Sequence, residues 1–324
     1  MKNLLLIAPK YFGYEDVIRQ KIEEKGYAVD LIYENIEEIS FFYRYFAKIF
    51  SPYKDLIFRF YYNNKICKRT YEIVLVIRGS SLTKNTIDAI KKNSPNAYFC
   101  LYQWDSVKNN ATALKIAKYF DSIHTFDPCD AKQYCWNYQP LFYISQSKSM
   151  SNRKYDFALV CSLHSDRVKL YNFLNNEFKN RNVFYYIFSK KIHFFKQKYI
   201  VRNKGFREIK NSEVKHKPLS LNQINEIMSQ TKIIVDYAHP DQDGFTMRTI
   251  ESIGHKCKLI TNNKNVKEAD FYNPNNIYVY DLNNIKIPDS FVNTKYCDLP
   301  NEVYANYSID KWIEVVLNKE SSTK

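Results

Sequence analysis

The stretch TKIIVDYAHPDQDGFTMRTIESIGHKCKLITN, Thr231 to Asn262, decides how the rest of the chain is read. It opens on a buried-strand pattern, Ile233-Ile234-Val235, and passes through the polar turn His239-Pro240-Asp241-Gln242-Asp243-Gly244. A short helix is predicted from Thr246 to Ser252, stopped by Gly254, and a second apolar run, Leu259-Ile260, follows at once. Strand, loop, helix, strand is a βαβ unit, and ligands bind such units where the loop meets the helix N-terminus. Unpaired N–H groups and the helix dipole there suit a phosphate. Only six glycines occur in the chain, and Gly244 and Gly254 bracket this helix. The expectation is that one lets a ligand approach the backbone and the other ends the helix.

Outward from this unit, the βα pattern repeats in both directions. Leu4–Ala8 is a continuous apolar run of the buried parallel type. An amphipathic helix over Glu15–Lys25 follows it, then a strand over Ala28–Tyr33. Strands are predicted over Ile73–Ile77, Ala97–Tyr102, Ser122–Thr125, Tyr155–Cys161, Val183–Phe188 and Ile277–Tyr280, with helices between them. Asp127-Pro128 reads as a helix cap with proline at the first turn, and Ser220 with Gln223 as a capping box. The serine-rich run SQSKSMSNRK, residues 145–154, is the best linker. The pattern predicts an α/β protein of two Rossmann-like domains, each a doubly wound parallel sheet, over 1–146 and 147–306, with a C-terminal helix over 307–324 packed back on the first. On that helix Ser308 is the expected cap, and Trp312, Val315 and Val316 share one face.

Composition narrows the function. Neither a Gly-rich dinucleotide fingerprint nor a P-loop is present. Seven scattered cysteines argue against a disulfide framework and for reduced thiols in a cytoplasmic protein. The first apolar run is shorter than a signal peptide's and reads as a core strand. The net charge of +14 favours anionic partners, although richness in Lys, Asn, Ile and Tyr, as in an A/T-rich genome, gives the same balance. Phe41 to Arg69 interleaves aromatic residues with Arg44, Lys48, Lys54, Arg59, Lys65 and Lys68. Such a stretch suits peripheral contact with an anionic membrane at its inner face, or a helix pair packed on the sheet with its cations reaching water. No nucleic-acid recognition motif accompanies it, so nucleic acid is not expected as a partner.

Asp243 and Glu251 stand eight positions apart in the run Asp-Gly-Phe-Thr-Met-Arg-Thr-Ile-Glu. This run resembles the paired-acid motif of GT-B glycosyltransferases, with two such domains facing a cleft. His239-Pro240 at the turn and Arg248 before Glu251 are closer to the CgeB-like, capsule and lipopolysaccharide group. The resemblance implies that Glu251 binds the ribose hydroxyls of a nucleotide sugar, that the backbone of Gly244, Phe245, Thr246 and Met247 holds its diphosphate, and that Asp243 lies near the donor sugar, where the family usually has Glu. It also implies that Ser162, His164 and Arg167, in the first loop of the second domain, face the donor phosphates. Read from the residues alone, Asp243 could equally be a helix cap and Glu251 a solvated partner of Arg248.

Two strand ends of the first domain carry polar residues, Arg78 after Ile77 and Trp104-Asp105-Ser106 after Gln103. Arg78 and Trp104 are candidates for the acceptor side, and the Tyr-x-Trp-Asp-Ser run also resembles a feature of the capsule-associated group. Asp105 is the best general base if the reaction inverts, since that role needs only a carboxylate within reach of the acceptor hydroxyl. The expected function is transfer of a sugar from a nucleotide-sugar co-substrate to a bacterial surface glycan or glycolipid, of hexosyltransferase type, with no other cofactor and no metal. Asp241 and Asp243 form an Asp-x-Asp only by letter. The other readings are a non-catalytic two-lobed protein that closes on a phosphorylated sugar or nucleotide, and a nucleic-acid binder driven by charge.

Overall fold

The computed structural model describes residues 2–34, 69–145, 152–164, 166–239 and 242–321. The basic aromatic stretch up to Lys68, most of the expected linker, and Pro240 and Asp241 lie outside the described residues. The chain divides into two compact units, Met1–Pro140 with Ile309–Lys324, and Leu141–Ser308.

Unit 1 is built on β1 (Lys2–Ala8), β2 (Tyr27–Tyr33), β3 (Ile73–Ile77), β4 (Tyr98–Gln103), β5 (Ser122–Thr125) and β6 (Asn137–Tyr138). They form one sheet in the order β2-β1-β3-β4-β5-β6, and every pairing is parallel. Leu4 to Ala8 are all buried because β1 has helices over both of its faces. Leu5 and Ile7 join Val74, Val76 and Leu101 in a core closed by Ile87, Ile90 and Ile116. On the other side the helix Tyr14–Glu24, with Ile18 and Ile22 buried, contacts the last helix, Ile309–Val316. Trp312 of that helix is fully buried with its ring 4.7 Å from that of Tyr102, and the Cys100 thiol donates to the Val316 carbonyl at 3.0 Å. The buried face is Trp312, Ile313 and Val316, not Val315.

Local signals hold where they rest on side chain to backbone bonds. Asp127 accepts from the N–H groups of Cys129 and Asp130 and caps Pro128–Tyr134, while Ser220 and Gln223 close a reciprocal box on Leu221–Ser229.

Unit 2 carries β7 (Tyr155–Ser162), β8 (Val183–Phe188), β9 (Val214–Lys215), β10 (Thr231–Val235), β11 (Lys258–Thr261) and β12 (Ile277–Val279). The order is β12-β11-β10-β7-β8-β9, again all parallel. In each sheet the chain builds outward in one direction and then restarts on the other side of the first strand. The switch points are β1/β3 in unit 1 and β7/β10 in unit 2. An open α/β sheet leaves a crevice at the carboxyl ends of such a strand pair, because the loops there diverge to opposite faces.

The quoted helix runs Met247–Gly254, later than predicted, and Thr246 is its cap: its hydroxyl accepts from the Thr249 N–H. Asp243 is therefore not the helix cap. Gly254 is the last helical residue, not a left-handed stop beyond it, and His255 is the C-cap. A Cβ at Gly254 would lie 2.5 Å from Cγ of Tyr143, so the glycine exists for close packing against that ring. The described cysteines, Cys100, Cys129, Cys135, Cys161, Cys257 and Cys297, are all free thiols.

Candidate functional site

Both switch points collect the polar residues singled out in the sequence. At the β7/β10 point of unit 2, Arg167 opens the helix Arg167–Glu177 and reaches back across the strand ends. It donates to the Ser162 carbonyl at 2.9 Å and to the Tyr237 carbonyl at 3.2 Å, and its guanidinium lies 5.5 Å from the Tyr237 ring centroid. Arg167 thus ties the end of β7 to the end of β10, which engages part of the charge expected to face phosphates. The rings of His164 and His239 are 6.1 Å apart. Burial, helped by the charges of Arg167 and His239, pushes the His164 imidazole down to about 4, so it is neutral at pH 7.

The loop into helix Met247–Gly254 is braced by asparagines that follow β11. The Ala238 N–H donates to Asn262 at 2.7 Å, and Asn262 donates back to the Ala238 carbonyl at 3.1 Å. Asn263 donates to the Gly244 carbonyl and Asn265 to the Asp243 carbonyl, at 3.1 and 3.0 Å. The side chain of Asp243 is half-buried beside Asn265. Asp236, which directly follows β10, accepts from Thr246 at 2.8 Å and from Thr261 at 3.3 Å. Burial raises its pKa, and Thr246, Arg167, Arg248 and Thr261 oppose the rise. Sequence reading passed over Asp236 although its signal was available: a carboxylate placed immediately after a buried apolar run.

Next to the helix, at Asp243 and Gly244, this bracing takes hold of the loop by its carbonyls. Among the described residues, the backbone N–H groups of Phe245, Thr246 and Met247 donate to nothing. They stand at a helix N-terminus, the arrangement that receives anionic oxygens. On the same helix Glu251 forms an ion pair with Arg248, and their side chains are 4% and 17% exposed. The solvated Glu251 considered in the sequence is thus corrected. Ile250, Ile253 and the tight Tyr143–Gly254 contact draw this helix into the unit, and Glu251 goes with them.

At the β1/β3 point of unit 1, Ala8, Pro9, Ile77, Arg78, Trp104 and Asp105 line a pocket that opens to solvent. Arg78 and Gly79 are successive left-handed residues, at φ 71° and 67°. A non-glycine residue there costs roughly 1–3 kcal/mol and persists only where its surroundings enforce it. Here the Arg78 N–H donates to Tyr102, and its carbonyl accepts from the side-chain amides of Gln103 at 2.9 Å and Asn110 at 3.0 Å. The side chain thereby turns toward Asp105, with Nε 3.1 Å from a carboxylate oxygen. That contact is an ion pair without hydrogen-bond alignment, since Nε finds no properly directed acceptor. Three further residues of the pocket were not anticipated. Tyr11 and Tyr14 set their rings 6.0 and 5.8 Å from that of Trp104, and buried Glu15 accepts from the Tyr11 N–H at 3.0 Å. Burial raises the Glu15 pKa. They lie at the start of a helix beside the strand end, a closeness that only the folded sheet creates.

The fourteen candidates fall into two groups. Asp105, Arg78 and Trp104 meet in the unit 1 pocket. Ser162 and Arg167 meet at the β7/β10 ends, His164 beside His239, and Arg248 beside Glu251 on the helix that Gly244, Phe245, Thr246 and Met247 lead into; Asp243 precedes them.

No family model and no curated protein matches the sequence. Solved structures do. Anabaena Alr3699/HepE in complex with UDP and glucose aligns over 100% of this chain and 96% of its own, at TM-score 0.50 and 9% identity. Sucrose-phosphate synthase (tll1590) from Thermosynechococcus elongatus gives the same coverage and TM-score at 8% identity. Against the GtfA/B complex and a Burkholderia pseudomallei response regulator the chain spans only 54% and 65% of the other chain, at TM-scores 0.41 and 0.25. With two all-parallel six-stranded sheets and full-length likeness to the first two structures, this chain has the GT-B fold of glycosyltransferases.

Proposed function

We propose that the chain is a glycosyltransferase that takes a sugar from a nucleotide-sugar donor held by unit 2 and passes it to a bacterial surface glycan or glycolipid held by unit 1, as in the CgeB-like, capsule and lipopolysaccharide group. The carrying observation is the row of unengaged N–H groups at Phe245, Thr246 and Met247, with the buried Glu251 carboxylate on the helix they open. The donor diphosphate takes the N–H groups. Glu251 accepts from the ribose hydroxyls, since an ionised carboxylate is an acceptor with about four lone-pair sites and Arg248 meets one of its oxygens. Charge developing on the leaving diphosphate is met by the same amides and the helix dipole, with no metal required. Asp243 reaches the donor sugar, and Asp105 takes the acceptor hydroxyl proton if configuration inverts. Support for a saccharide donor also comes from the HepE structure, whose bound molecules are UDP and glucose. Peripheral contact with the inner face of the membrane would bring a lipid-linked acceptor within reach.

A thermal-shift comparison of UDP-, GDP-, CMP- and dTDP-sugars tests the donor. A ligand at 100 times its Kd stabilises by about 2.7 kcal/mol, several degrees in melting temperature. If none of the four raises the melting temperature, the proposal fails.

A further inference from the structure

The helix Lys191–Phe195 runs on through a wide turn, Lys196–Ile200, whose Val201 N–H reaches five residues back to the Lys196 carbonyl. Arg202, left-handed at φ 58°, ends it, and the Asn203 N–H closes onto the Gln197 carbonyl. The element has two apolar faces. Phe194, 1% exposed, faces inward with Phe206, Ile209 and Val214. Ile192, Phe195 and Tyr199, spaced i, i+3, i+7, and Ile200 and Val201 beyond them remain in solvent. Ile192 is 87% and Ile200 76% exposed. Of nine large apolar side chains exposed among the described residues, five fall between Ile192 and Val201. Around them Lys190, Lys191, Lys196 and Arg202 are exposed, and no acidic residue occurs between Glu177 and Glu208, which pairs with Lys204.

We propose that this surface of unit 2 docks on an anionic phospholipid bilayer, with Ile192, Phe195, Ile200 and Val201 entering the acyl boundary and the surrounding cations at the headgroups. Aliphatic side chains ringed by basic ones, with no acid among them, match such an interface. Other occupants fit less well. A second copy meeting this patch symmetrically would set the cations against themselves. Nucleic acid would meet the charge but would find Ile192, Ile200 and Val201 where stacking needs rings. No helix among the described residues is long and apolar enough to cross a membrane, so the contact is one of surface docking. It is independent of the donor reading, because vesicle binding and nucleotide binding can each fail while the other holds.

Co-sedimentation with vesicles of phosphatidylcholine alone, or with about one third phosphatidylglycerol, tests the surface, since each basic residue near an anionic surface strengthens binding roughly five-fold. Wild type should bind the anionic vesicles, release as salt rises, and bind neutral ones far more weakly. I192S/I200S should lose at least ten-fold in affinity with an unchanged melting temperature, since both side chains are already in water, and K191Q/K196Q should lose a similar factor. Absence of wild-type binding, equal binding to both vesicle types, or wild-type affinity in both variants overturns the proposal. So does self-association that I192S/I200S abolishes in a protein that ignores vesicles.

Discussion

Removing the Glu251 carboxylate should be felt twice, once in the fold and once in the donor site. Its side chain is 4% exposed and paired with Arg248, which is itself 17% exposed. Glu251→Ala therefore strands a guanidinium that has little water to turn to. Breaking a buried pair from one side costs roughly 3–5 kcal/mol, and the residual exposure of Arg248 puts this case near the lower end. At about 2–4 °C per kcal/mol for a domain of this size, the melting temperature of ligand-free protein should fall by roughly 6–12 °C. Glu251→Gln keeps shape and one carbonyl acceptor and should fall by about half as much. The double variant R248M/E251L replaces both charges with apolar side chains of similar size, a change that is often neutral or stabilising. Its melting temperature should return to within a few degrees of wild type. Nucleoside diphosphate affinity should behave differently: hydrogen bonds to a charged acceptor contribute roughly 1.5–3 kcal/mol, so calorimetric titration should show at least a ten-fold loss in Glu251→Ala and no recovery in the double variant. Recovery of stability without recovery of binding is the outcome that assigns Glu251 to the ligand. An unchanged melting temperature in Glu251→Ala would refute the buried pair, and unchanged nucleotide affinity would refute the donor site.

Three further perturbations follow from the geometry. Asp105→Asn should lower turnover of an inverting reaction about 100-fold, leave nucleotide affinity alone and change stability by under about 1 kcal/mol, since its ion pair with Arg78 is one-third exposed; full activity would remove Asp105 as base. His124 and His255 are held down to about 4 by burial, so the folded protein keeps them neutral while the unfolded chain protonates them below about 6.5. Their contribution is present in full above about pH 6.5 and is lost between there and pH 4, at up to roughly 1.4 kcal/mol per pH unit for each group; urea unfolding at several pH values should give a shallower acid slope for His124→Asn, and an identical slope would refute the assignment. Gly254→Ala, which in an open helix would stabilise by about 1 kcal/mol, should destabilise by roughly 2 kcal/mol because the new methyl meets the Tyr143 ring; that penalty should disappear in a Tyr143→Ala background, and a stabilised single variant would show the contact to be loose.

What the sequence determined by itself is the layer of structure that neighbours along the chain control. The apolar runs of β1, β3 and β10 need two covered faces, and that need alone predicts parallel sheets between helices. Asp127-Pro128 and Ser220–Gln223 close their bonds within a few residues, so their caps are readable as letters. The paired acids and Arg248 were readable for the same reason, as a spacing on one helix. Depth was not readable. Spacing places Glu251 beside Arg248 but cannot say whether the pair meets water, because that depends on how helix Met247–Gly254 packs against Tyr143, far away in sequence. The same limit hides the packing of Gly254 on Tyr143 and the bonds by which Arg167 ties two strand ends together. Strand order decided the rest. It places the ends of β1 and β3 side by side, so that Glu15, Tyr11 and Tyr14 come to share a pocket with Arg78 and Asp105, a meeting that no local pattern encodes because the attraction holding it is burial summed over the whole sheet.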